Sequence, residues 1–139
     1  MKTKKHLLTL LGATLLSVLV LSMTTVASLT PTPYWSYLIA MSGNMSVSGS
    51  GVATIEAECR ADALTVDKVK VTCELQRLDG SWETIKTWTE TSDGNVIWYT
   101  KNYAIYKNYS YRLKITSYAY SNNELLESAT EYFSYGYYN

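Results

Sequence analysis

Few residues in this chain can do covalent or proton chemistry. Cys59 and Cys73 are the only cysteines, and they lack the CxxC spacing of a redox or metal motif. The single histidine is His6, close to the start. Beyond it there is no imidazole to serve as the base of a Ser-His-Asp or Cys-His nucleophile, and none to hold a catalytic zinc. No GxGxxG or GK[ST] loop is present to cradle phosphate. Carboxylates remain, and a glycosidase needs two of them at a set separation. Glu56 and Glu58 are such a pair, but they alternate with Thr54 and Arg60 on what reads as the solvated side of a strand. Asp93-Gly94-Asn95 offers too few oxygens for calcium and reads as a turn. The expectation is a protein without catalytic residues, metal or cofactor.

What stands out instead is aromatic content: thirteen tyrosines, four tryptophans and Phe133. On "EYFSYGYYN" neighbouring rings such as Tyr137 and Tyr138 must face opposite ways on a strand, so some are exposed. Outward rings on a stiff sheet make a binding surface of low entropic cost, and flat rings also stack on sugars. The plainer role is sheet stabilisation by cross-strand aromatic pairs, about 0.2–1 kcal/mol each. The candidate binding residues are Trp82, Trp88, Trp98, Tyr118, Tyr120, Tyr135 and Tyr137.

The opening MKTKKHLLTLLGATLLSVLVLSMTTVASLT has a basic start, an apolar run from Leu7 to Met23, and small residues at Thr25-Val26-Ala27. This is the pattern of a secretory signal peptide, residues 1–27. An uncleaved anchor is the other reading. The apolar run is short for a span, and Gly12, Thr14 and Ser17 dilute it. Cleavage leaves about 112 residues, enough for one domain. Of twelve basic side chains three lie in the leader, so nine remain against twelve acids, a net charge of −3. With no like-charge run, the chain is a poor candidate for nucleic acid, which needs a basic stripe. Export permits a Cys59–Cys73 disulfide, worth about 3 kcal/mol in the chain-entropy model. Two buried thiols are the alternative.

Strands must position these rings. No helical period survives the leader, and no proline follows Pro33. Residues 28–50 read as a spacer and a first strand, Tyr34 to Met41, continued past Gly43 by Asn44 to Ser48. Residues 51–139 read as the body. "VATIEAECRA" turns Ala53, Ile55, Ala57 and Cys59 to one side. "VDKVKVTCELQR" does the same with Val69, Val71, Cys73 and Leu75, leaving Lys68, Lys70, Thr72, Glu74 and Gln76 outside. Turns at Asp79-Gly80, Ser92 to Asn95 and Asn122-Asn123 separate about seven strands, the spacing of an antiparallel sandwich.

The run "CELQRLDGSWETIKTW" leaves two registers open. A two- or four-residue loop pairs Arg77 with Trp82 and turns both tryptophans inward. A three-residue loop turns Ile85 inward and the indoles out. Each straight register also buries a polar residue, which a bulge would relieve. Trp82 is the indole expected inside, and Trp88 the first choice for an exposed ring.

Ile105 followed six residues later by Tyr111, in Tyr-x-Leu-x-Ile, resembles the tyrosine corner of immunoglobulin-like and fibronectin type III sandwiches. Lys107 and Asn108 stand where the fibronectin corner usually has proline and glycine. "VKVTCELQR", the turn, "WETIKTW" and "YSYRLK" together resemble an uncharacterised family of short secreted β-sandwich proteins from Gram-positive bacteria, over about residues 50–130. That resemblance implies fold and export but no activity.

The functional expectation is therefore a secreted, extracellular interaction module that binds a protein or glycan through aromatic rings. A secreted antimicrobial or membrane-directed effector is the second reading, disfavoured by the mild negative charge; a carboxylate glycan hydrolase is the third. Contact with membrane is expected only through an uncleaved leader. The Asn-x-Ser triplets at Asn44 and Asn108 matter only if the source glycosylates them.

Overall fold

The computed structural model describes residues 34–139, and the expected signal peptide, residues 1–27, with its cleavage site lies outside them. The described chain belongs to one compact unit, Pro33–Asn139. It is all-β: β1 Leu38–Val47, β2 Val52–Ala61, β3 Lys68–Asp79, β4 Ser81–Asp93, β5 Val96–Ala104, β6 Tyr109–Ser121 and β7 Glu124–Tyr138. Two antiparallel sheets form, β1-β2-β5 and β4-β3-β6-β7. Every strand pairing is antiparallel.

The core lies between the sheets and follows from alternation. Ala53, Ile55, Ala57 and Cys59 on β2 meet Val69, Val71, Cys73 and Leu75 on β3 and Tyr111, Leu113 and Ile115 on β6, all essentially without exposure. Burying each large aliphatic side chain is worth about 1.5–3 kcal/mol. Gln76, expected outside, is buried on the outer face because Arg112 covers it: the guanidinium Nε donates to its Oε1 at 2.7 Å.

β1 begins at Leu38, four residues later than expected, and runs unbroken through Gly43. Gly43 does not interrupt the strand; it lets β1 approach the opposite sheet. A Cβ there would sit 2.6 Å from Ile115 Cδ1 and 2.7 Å from Phe133 Cδ2. The entry to β1 is held by Glu127 of β7. Its carboxylate accepts the backbone N–H groups of Ser36, Tyr37 and Leu38 at 2.9, 2.8 and 2.7 Å.

The β3–β4 hairpin settles the register. Leu78 pairs with Trp82 and Asp79 with Ser81, about Gly80 at φ 71°. The loop is therefore the three-residue form, not the two- or four-residue form, and glycine meets its left-handed backbone without a Cβ penalty. A bulge follows: Gln76 pairs with Thr84 but Leu75 with Lys86, leaving Ile85 unpaired. The extra residue resets the alternation.

Candidate functional site

The outer face of the three-stranded sheet carries the freest indole. Trp98 of β5 lies opposite Glu58 of β2, and Ser42 of β1 lies opposite the same Glu58. One step along, Thr100 and Asn44 flank Glu56. Trp98 is 62% exposed. It borders a hollow of about 140 Å³ with Ser42, Asn44, Glu56 and Glu58. The polar rim is braced: Asn44 Nδ2 donates to Glu56 at 3.2 Å, Ser42 Oγ to Glu58 at 3.4 Å, and Arg60 pairs with Glu58 at 3.1 Å. An open aromatic plane beside carboxylate, amide and hydroxyl groups offers stacking and hydrogen bonding to a polyhydroxyl ligand at once.

The outer face of the four-stranded sheet differs. Here Arg112 stands between Trp82 and Tyr132, its guanidinium carbon 4.2 and 4.4 Å from their ring centroids. Next along β6, Lys114 pairs with Glu74 at 2.7 Å. The Lys114 ammonium, aided by Thr84 and opposed by burial, holds Glu74 below the usual carboxylate range; Glu74 in turn raises Lys114. A row of threonines follows, with Thr72 bonded to Thr89 at 3.0 Å and Thr116 to Thr130 at 2.9 Å. Beyond them come Tyr118 and Tyr120, with Lys70 Nζ 4.1 Å from the Tyr118 centroid and Lys68 Nζ 5.6 Å from that of Tyr120.

The other candidates are scattered. Trp88, the expected exposed ring, instead packs half-buried against the core and meets Tyr103 edge-on at 6.1 Å. The bulge at Ile85 is the reason, since it brings Trp88 into phase with Cys73. Trp82, expected inside, lies on the outer face because the three-residue loop pairs it with Leu78, ahead of the bulge. Tyr135 and Tyr137 are exposed near the end of β7, far in register from Tyr118 and Tyr120. Tyr111 is buried, and its hydroxyl donates to the Tyr106 carbonyl at 2.7 Å and accepts the Tyr106 N–H at 3.2 Å. Ile105 is buried beside that corner.

The expected disulfide is not formed. Cys59 and Cys73 are both free and fully buried. They project from different sheets, and each meets another residue across the core. Cys59 faces Ser117 of β6, although their contact falls outside hydrogen-bond geometry and leaves Ser117 Oγ unpartnered. Cys73 lies near Tyr99 of β5, whose buried hydroxyl also lacks a partner. Burial, with Glu74 adding to it, pushes the Cys73 thiol up to about 12, and burial raises Cys59 as well. Neither is a reactive thiolate at neutral pH.

Among the described residues, no three His, Cys, Asp or Glu side chains gather as metal ligands. Sequence reading missed Ser42, Asn44 and Arg112 and set Glu56 and Glu58 aside as solvated surface. Their alternation marked them as outward, but only strand pairing brings them beside Trp98 or Trp82. No family model matches this chain, and no curated protein matches it.

Proposed function

We propose that this chain is a secreted, non-catalytic binding module that docks a glycan through Trp98 on the outer face of its three-stranded sheet. The observation that carries the reading is the open Trp98 indole, standing over the braced Ser42, Asn44, Glu56 and Glu58 rim. A sugar ring lays its C–H face on the indole while its hydroxyls donate to the carboxylates and accept from the Asn44 amide. The pre-set rim limits the entropy lost on binding.

The scaffold belongs, in this reading, with immunoglobulin-like and fibronectin type III sandwiches. Strand order β1-β2-β5 against β4-β3-β6-β7 and the Tyr111–Tyr106 corner support that placement. The leader pattern supports export, and the ordered Trp82 and Trp88 motif supports kinship with the secreted Gram-positive family.

Co-sedimentation with insoluble neutral polysaccharides tests the function. Wild type is expected in the pellet and Trp98→Ala in the supernatant, with Tyr137→Ala behaving as wild type. Equal pelleting of Trp98→Ala and wild type removes this face from the account.

A further inference from the structure

We infer that the opposite face, on β3 and β6, is a second binding site, specific for an acidic polysaccharide. The chain contains no run of basic residues, yet strand register assembles one. Lys68, Lys70, Arg112 and Lys114 project from the same side of the four-stranded sheet, although 44 positions separate Lys70 from Lys114 along the chain. Over the described residues, where twelve acids face nine bases, this is a concentrated positive patch.

The acidic side chains of this face are Glu74 and Asp93. Glu74 is spent on Lys114. Asp93 lies across from Lys68 on β4 but forms no ion pair with it. Among the described residues neither Lys68 nor Lys70 has a carboxylate within ion-pair distance. Nearby Asp67 is turned to the Asn122 backbone N–H at 2.7 Å.

The two ammonium groups are nonetheless held in place. Lys68 Nζ donates to Asn123 Oδ1 and lies near the Tyr120 ring. Lys70 Nζ lies over Tyr118 and 5.8 Å from the Tyr120 centroid. Both line one cleft of about 250 Å³ with Thr91, Tyr120 and Asn123. Two fixed cations, a ring, a hydroxyl and an amide match one anionic sugar: its carboxylate or sulfate goes to the lysines, its C–H face to Tyr120, its hydroxyls to Thr91 and Asn123. The threonine row of Thr89, Thr72, Thr116 and Thr130 continues the hydroxyl surface towards Arg112, so a linear polymer can extend along it. Only Lys68 and Lys70 line the cleft, while Lys114 is paired with Glu74 and Arg112 is stacked between Trp82 and Tyr132, and two open cations suit a sugar chain better than the denser phosphates of nucleic acid.

Affinity electrophoresis in gels cast with polygalacturonate, heparin or neutral dextran tests this, with a single-stranded oligonucleotide titrated separately. Retardation is expected with polygalacturonate or heparin and none with dextran at this face, and it should fade as salt rises. Lys68→Gln with Lys70→Gln should lose most of that retardation, while Lys107→Gln, a cation elsewhere, keeps it. Trp98→Ala should also keep it, which separates this site from the proposed neutral-glycan face. No retardation by either acidic polymer at low salt overturns the proposal. So does equal loss in Lys107→Gln, or tighter binding of the oligonucleotide than of the polysaccharides.

Discussion

Trp82 and Trp88, six residues apart on β4, lie on opposite faces of the four-stranded sheet. An even spacing on a regular strand would put them on one face. The unpaired Ile85 between them shifts the alternation by one, so Trp82 covers Arg112 outside and Trp88 packs inside near Cys73. The two indoles should therefore respond differently to truncation. Trp88→Ala removes half-buried core contacts and should cost about 2 kcal/mol, whereas Trp82→Ala loses chiefly the guanidinium stack, about 0.5–1 kcal/mol. Urea unfolding of the two variants measures both.

Glu127 ties sheet to sheet. Burial alone would raise its pKa; the three N–H donors from Ser36, Leu38 and Tyr37 outweigh burial and hold it below its ordinary 4.5. With the folded value below the unfolded one, the clasp contributes fully above the unfolded pKa and is lost as pH falls through the folded value. Glu127→Ala should cost about 2 kcal/mol near neutral pH. The gap to wild type should narrow progressively below pH 4.5 in urea melts.

Gly43→Ala should be destabilising by about 1–3 kcal/mol, because the new methyl meets Ile115 and Phe133 within 3 Å. Ile115→Val in the same chain makes room and should recover part of the loss. Thermal melts of the single and double variants read this coupling directly.

The two thiols should be silent in the folded protein. Both should resist a bulky thiol reagent in buffer and react once denaturant is added, giving two thiols per chain. Melting temperature should be the same with and without reductant. A fall on reduction would mean that a bridge does form.

Where a strand alternates cleanly, its inward set was legible from the sequence: β2 and β3 place Ala53 to Cys59 and Val69 to Leu75 in the core as read. Asn122-Asn123 was legible as a turn, and both residues take positive φ, 50° and 67°. β4 was not legible, because one extra residue inverts every face after it and nothing in "WETIKTW" marks where the ladder slips. Trp98 could be singled out as a ring. Its setting could not, since Ser42, Asn44, Glu56 and Glu58 come from two other strands and meet it only through register. The lysine-tyrosine face was hidden in the same way. Composition counts charges without saying which face holds them.

The most direct test follows the four tryptophan indole N–H resonances, those of Trp35, Trp82, Trp88 and Trp98, while soluble fragments of a polysaccharide that pellets the protein are added. Glycan docking at Trp98 should give a saturable shift of its signal, with Trp82 and Trp88 little changed. A saturable shift of Trp82 with Trp98 unmoved would contradict it, and would place glycan docking on the other sheet.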